Sequence, residues 1–207
     1  ADPDNFISLL YYFGMITIDG VHRGKTRFKI PNQVVREQLF NYLLETYDEV
    51  DLRFDRMEKG DLNADLAYDG KWREYFQYIA DCLTTYASQR DRLKGESFVH
   101  GFTLAMTAQN KFYRPESEKD TQGGYADIFM LPMIDIWKDM LHSYIIELKY
   151  AKGKDSDEVV ARLREEAIAQ ANRYADTEVV KRNIGMTTLH KIVVVYRGMD
   201  MVVCEEV

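Results

Sequence analysis

The chain has 207 residues, of which 46% are hydrophobic and 29% are charged, so it can bury a core and is not disordered as a whole. No apolar run approaches the about 20 residues of a membrane span, and Cys82 and Cys204 form neither a CxxC pair nor a disulfide framework, which fits a reducing cytoplasm. A net charge of -7 argues against binding of a polyanion by the whole surface.

Residues 1–47 are predicted to form a small unit of helix, hairpin and helix that is similar to a winged helix. Asn5 can cap a first helix that runs through Phe13. The segments MITI and RFKI then have the pattern of two paired strands, and Pro31 with Asn32 is expected to open a second helix. The chain begins without Met and its opening ADPDN has no signal-peptide pattern, so we expect a fragment of a longer protein.

The segment GVHRGKT at residues 20–26 ends like a phosphate-binding loop. Only three residues separate its glycines, however, where that motif needs four. The residues that follow are typical of a strand, whereas a phosphate-binding loop leads into the N-terminus of a helix. We therefore predict a hairpin turn at this position.

Residues 48–93 are predicted to be a helical connector that serves as packing scaffold. The apolar side chains that follow the 3.6-residue period are Trp72, Phe76, Ile79, Leu83 and Tyr86.

Residues 94–207 change their periodicity repeatedly, which predicts an α/β domain. A helix from Glu96 to Asn110 precedes strands at KFYR, YADIFMLP and SYIIELKY. A helix over about residues 155–175 then leads to strands at HKIVVVYR and MDMVVCEEV. Because a whole helix joins SYIIELKY to HKIVVVYR, these two strands can be parallel, so we expect a mixed sheet of about four to five strands flanked by helices.

Charged residues occur within two strands of this domain that are otherwise apolar. In SYIIELKY, alternation places Glu147 and Lys149 on the same face, and YADIFMLP carries Asp127 after the flexible pair Gly123–Gly124. Two buried carboxylates on neighbouring strands repel each other unless a cation lies between them, and a hard divalent ion would satisfy both. The structural alternatives are an ordinary ion pair near a sheet end for Glu147 with Lys149, and a turn-capping residue for Asp127.

Over about residues 94–207, this pattern resembles the PD-(D/E)xK nuclease superfamily, which implies a restriction-endonuclease-like core. The positions that carry the resemblance are Glu96 on a helix, Gly124 and Asp127 at a strand, Glu147-Leu148-Lys149 on the next strand, and Gln170 and Tyr174 on the crossover helix. Ala126 stands where the superfamily name has Pro.

More narrowly, the domain is similar to the nuclease-like C-terminal domain of bacterial proteins whose N-terminal part is a predicted AAA-type ATPase. The segments NFISLLYYFGMITI and KIPNQVVRE resemble the end of that ATPase portion. The resemblance implies an upstream ATPase domain of the same full-length protein as a partner, with the ATP-binding half missing from this chain.

The resemblance also implies roles for individual residues. Asp127, Glu147 and the backbone carbonyl of Leu148 would bind Mg²⁺, with Mn²⁺ as a possible substitute, and Glu96 would complete the acidic set. Lys149 would hold or polarise the attacking water, and Gln170 and Tyr174 would position the phosphate or the water. The alternatives are a dipole-favoured acid in a first helical turn for Glu96, and ordinary packing for the two helix residues.

The reaction implied is metal-dependent phosphodiester hydrolysis on nucleic acid, with DNA as the expected substrate. Residues 147–191 carry 9 Lys and Arg against 8 Asp and Glu, and the remainder carries 18 against 26, so any nucleic-acid face is expected in this stretch. The alternative is a catalytically silent module of the same fold that binds nucleic acid or a protein partner alongside an ATPase.

Overall fold

The computed structural model describes residues 3–22, 24–32, 34–35, 38, 56–89, 95–116 and 127–207. The glycine pair Gly123–Gly124 and Ala126 lie outside these residues. The chain divides into two compact units, Ala1–Glu49 and Val50–Val207. Among the described helices, none combines the length and the apolar character that crossing a membrane requires.

The first unit contains helix α1 (Pro3–Tyr12) and the antiparallel strands β1 (Thr17–His22) and β2 (Lys25–Lys29). Helix α1 begins at Pro3, so Asn5 lies inside the helix and is not its N-cap; the fixed φ of proline suits a first helical turn. Strand β1 also begins two residues later than the MITI segment predicted.

The GVHRGKT segment forms the predicted hairpin turn, because His22 on β1 pairs directly with Lys25 on β2. Gly24 between them has a φ of 77°, a left-handed conformation that glycine adopts at low cost. The Oδ1 atom of Asn32 accepts a hydrogen bond of 3.0 Å from the backbone N–H of Val35, which confirms that Asn32 opens the second helix.

The second unit is a mixed α/β structure, as predicted. Its elements are α2 (Arg56–Tyr68), α3 (Trp72–Gln89), α4 (Glu96–Ala108), β3 (Tyr113–Glu116), β4 (Ile128–Pro132), β5 (His142–Ala151), α5 (Asp157–Ala175), α6 (Glu178–Asn183), β6 (Thr188–Arg197) and β7 (Asp200–Glu206). The strands form one five-stranded sheet in the order β3-β4-β5-β6-β7. Strands β5 and β6 are parallel, as the crossover predicted, and the other neighbours are antiparallel.

Helices pack on both faces of the central strands of this sheet. Alternate side chains of β5 point to opposite faces and so contact different helices. On one face, Ile145 packs with Ala171 and Tyr174 of helix α5. On the other face, the hydroxyl of Tyr144 donates a hydrogen bond of 2.8 Å to the backbone carbonyl of Leu66 in α2. Glu147 shares the face of Ile145, so it lies under the crossover helix.

Some boundaries differ from the predicted ones. Strand β4 begins at Ile128, one residue after Asp127, and β3 begins two residues later than the KFYR segment. The short helix α6 was not predicted; its N-terminus is capped by Thr177, whose hydroxyl accepts from the N–H of Val180.

Candidate active site

The pairing of β4 with β5 brings the two predicted carboxylates to the same place. Ile128 pairs with Ile146 in antiparallel register, and this register continued by one residue sets Asp127 opposite Glu147. Asp127 comes just before the strand and its side chain is 24% exposed, whereas the Glu147 side chain is 1% exposed. One carboxylate is therefore reachable from solvent and the other is buried.

Lys149 connects these two carboxylates. Its Nζ atom donates to Oδ2 of Asp127 at 3.3 Å and to Oε2 of Glu147 at 3.4 Å. The same Oδ2 atom accepts a shorter hydrogen bond of 2.8 Å from the backbone N–H of Leu148. The Asp127 carboxylate is thus fixed by the backbone of β5 as well as by an ammonium group.

The Glu147 carboxyl is only partly satisfied by this arrangement. Its Oε1 atom is buried and has no hydrogen-bond partner among the residues that the structure describes. Burial and then repulsion from Asp127 raise the pKa of Glu147 to about 8, although Lys149 and a hydrogen bond from the Asp127 backbone act in the opposite direction. An ordinary ion pair with Lys149 therefore leaves half of this carboxylate without a partner.

The donor set fits a hard divalent cation such as Mg²⁺, which prefers oxygen ligands and usually takes one or two carboxylates from the protein. The orphaned Oε1 atom of Glu147 is the specific observation, because a bound cation would satisfy it. In an extended strand, the N–H and C=O of one residue point to the same neighbour. The Leu148 carbonyl therefore points towards β4 and Asp127. There it can serve as a further oxygen ligand for the cation.

Helix α5 presents Gln170 and Tyr174 to the same face of the sheet. Ala167, one turn before Gln170, packs on Val193 and Val195, which are the β6 partners of Glu147 and Lys149. Tyr174 is 2% exposed, and its ring meets that of Phe129 edge-on at 6.0 Å. The Oε1 atom of Gln170 is buried without a hydrogen-bond partner in the described part of the chain.

Glu96 is exposed in the first turn of α4. Among the described residues, no group of three or more His, Cys, Asp or Glu side chains could hold a metal ion, so the structure does not bring Glu96 into a cluster with the two carboxylates.

Two features of the structure were missed from sequence. The first is the Leu148 N–H as a partner of Asp127, which the antiparallel register could have indicated. The second is a contact of 2.8 Å between the rings of His142 and His190. These histidines lie near the starts of the two parallel strands, and that placement was the available signal.

The model of the PD-(D/E)XK nuclease superfamily matches residues 94–206 of this chain. No significant match to a curated protein or to a solved structure accompanies it. The matched segment covers more than half of the chain and contains the five-stranded sheet with both carboxylates and the lysine. The chain therefore belongs to the PD-(D/E)XK nuclease superfamily.

Proposed function

We propose that this chain hydrolyses phosphodiester bonds of DNA with the help of Mg²⁺, for which Mn²⁺ can substitute. Superfamily membership supports a nuclease-type function in general. The observation that carries the specific proposal is the convergence of Asp127 and Glu147 on Lys149, with one buried carboxylate oxygen left without a partner in the described structure.

In this proposal, Asp127, Glu147 and the Leu148 carbonyl would hold the cation, whereas Glu96, which the structure does not bring into their cluster, stays outside the proposed ligand set. The cation would supply Lewis-acid stabilisation of the charge that develops on the phosphodiester. The ammonium of Lys149 orients the attacking water and offsets negative charge beside it. The buried amide of Gln170 and the hydroxyl of Tyr174 position the phosphate or the water.

The distribution of charge along the chain indicates which side chains can contact the phosphates of the DNA. The whole chain is acidic, so phosphate contacts must come from a local group of basic side chains. Lys152 and Lys154 are exposed in the turn that follows β5, a few residues after Lys149, and Arg162 and Arg173 are exposed on α5. These four side chains are the proposed contacts to the DNA backbone; Arg164, a further candidate on the same helix, is ion-paired with Glu165 and Glu205.

The proposed partner is an ATPase portion of the same full-length protein, which would control the nuclease-like domain at residues 94–207. The support for it is the resemblance of residues 5–18 and 29–37 to the end of such a portion. The proposed domain order is a winged-helix-like segment over residues 1–47, a helical connector over residues 48–93, and then the nuclease-like domain.

Cleavage of plasmid and linear DNA tests the proposed reaction. We expect cleavage with Mg²⁺ or Mn²⁺ and none with a chelator, and we expect Asp127→Asn and Lys149→Met to lower the rate by about 100-fold or more, because each removes a group at the reacting centre. Asp135→Asn, which changes an exposed acid elsewhere, serves as the matched control.

Cleavage that persists unchanged in both variants would reject the proposed site. DNA binding without any cleavage would instead support the alternative function, a catalytically silent binding module. The net charge of -7 does not exclude such a module, because DNA can bind to a local group of basic side chains.

A further inference from the structure

Lys149 holds the position between the two carboxylates to which the proposed cation would bind. Its Nζ atom lies 3.3 Å from Oδ2 of Asp127 and 3.4 Å from Oε2 of Glu147. We propose that Lys149 acts as an internal counter-cation that competes with the divalent ion, and so sets how tightly this site binds metal. This inference rests on the proposed function, because it concerns the same site.

The two contacts of Lys149 are weak enough to be exchanged. Charge-assisted N–H···O bonds are usually about 2.7–2.9 Å long, whereas both contacts here are longer than 3.2 Å. The ammonium lies between two acceptors without a tight bond to either. Its flexible four-carbon stem and a side-chain exposure of 18% give it a path towards solvent.

The carboxylates, in contrast, are held in place. The Leu148 N–H bonds Oδ2 of Asp127 at 2.8 Å, and the Glu147 side chain is 1% exposed within the sheet. When a cation enters, Lys149 is therefore the group that has to yield. Lys149 also leaves Oε1 of Glu147 without a partner, so the ammonium does not satisfy the site as a multivalent ion would.

Electrostatic repulsion predicts how the loss of the Lys149 charge changes the affinity of the site for metal. Two cations a few Å apart repel each other strongly where water is partly excluded. Replacing Lys149 by a neutral side chain removes this repulsion and leaves two carboxylates with no internal counter-charge. The free energy of metal binding then becomes more favourable, even though a residue proposed to assist the reaction has been lost.

Calorimetry with Mg²⁺ alone, on the whole chain and without nucleic acid, tests this competition. We expect Lys149→Met to bind Mg²⁺ about tenfold more tightly than the unchanged chain. Lys149→Arg keeps the charge and is expected to bind like the unchanged chain. Lys138→Met removes an exposed lysine to which no role is assigned and is the matched control, also without effect.

The outcomes distinguish a failure of the competition from a failure of the proposed metal site. Equal or weaker binding by Lys149→Met, in a chain that binds Mg²⁺ and loses this binding on Glu147→Gln, overturns the competition and leaves the proposed metal site standing. Absence of Mg²⁺ binding in every form overturns the metal site itself, and the competition with it. Circular dichroism verifies folding; if Lys149→Met does not fold, Lys149→Gln is the neutral replacement and the same expectation applies to it.

Discussion

Gln170 is a residue at which the proposed chemistry would come at a cost in folding stability. Its Oε1 atom is buried on α5 and unpartnered within the described residues. A buried polar atom without a hydrogen bond costs about 1–3 kcal/mol of folding free energy. Such an atom in a folded protein needs an explanation, and the positioning role proposed for Gln170 would supply one.

Gln170→Met tests this trade-off, because Met has a similar length and no strong hydrogen-bonding group. We expect the free energy of unfolding to stay the same or to rise by up to about 1–3 kcal/mol, while DNA cleavage falls. Urea unfolding and a cleavage assay on the same preparation measure both quantities. Glu166→Ala, on the exposed side of α5, should change neither. A destabilised variant with normal cleavage would identify Gln170 as a packing residue only.

At the scale of elements, a chain of three polar side chains joins β5, β6 and β7. Nδ1 of His142 lies 2.8 Å from Nε2 of His190, and Nδ1 of His190 lies 2.6 Å from Oε1 of Glu206. Each contact needs one proton, so two neutral rings satisfy both contacts. If both rings are protonated, two N–H groups face each other and the first contact is lost. Trp72 on α3 completes the connection by donating to Oε2 of Glu206 at 3.2 Å.

This chain of contacts predicts a loss of stability in acid. Burial, followed by repulsion from His190, lowers the pKa of His142 below its ordinary value, although a hydrogen bond to the Tyr68 backbone and the charges of Asp69 and Glu206 act in the opposite direction. The unfolded chain therefore takes up this proton more readily than the folded chain. The contribution of His142 to stability is complete above its unfolded pKa of about 6.5 and is lost as the pH falls through the folded pKa.

Urea unfolding at pH 7.5 and at pH 5 measures this effect. We expect the denaturation midpoint of the unchanged chain to fall more between these two pH values than that of His142→Gln. His100→Gln, on α4, should follow the unchanged chain. Identical pH dependence in the unchanged chain and in His142→Gln would contradict the expectation.

The sequence predicted what depends on short-range periodicity and missed what depends on long-range register. Alternation along β5 put Glu147 and Lys149 on one face, and the crossover helix predicted a parallel neighbour for that strand. The meeting of His142 with His190 depends on how two strands 46 residues apart align, since Tyr144 pairs with His190. Asn5 was misplaced for a different reason, because Pro3 supplies a helix start that the capping pattern did not weigh.

At the scale of the whole molecule, helices α2 and α3 belong to the same compact unit as the sheet. The Leu66 carbonyl in α2 accepts a hydrogen bond of 2.8 Å from the hydroxyl of Tyr144, and the hydroxyl of Tyr113, which donates to the His142 carbonyl at 2.9 Å, lies 3.4 Å from the same Leu66 oxygen. These two helices also supply core side chains that are at most 2% exposed, namely Leu66, Phe76, Ile79 and Leu83. The segment that the family model matches therefore packs on residues outside the match.

Two truncations test this dependence. We expect residues 50–207 to unfold cooperatively in urea, because they contain the whole unit. Residues 94–207 alone should lose cooperative unfolding, since the removal of even one large buried side chain costs about 2–5 kcal/mol. Near-ultraviolet circular dichroism and urea titration measure both fragments. A cooperative transition with an unchanged midpoint for residues 94–207 would show that the helices are dispensable.

The two edge strands of the sheet, β3 and β7, differ from each other. Strand β3 is four residues long and contains Pro115, which has no backbone N–H to offer to an incoming chain. Strand β7 is seven residues long and contains no proline. A further strand could pair with β7 only after Arg73 of α3 releases the Cys204 carbonyl, to which it donates at 3.2 Å, whereas at β3 the proline removes a donor outright.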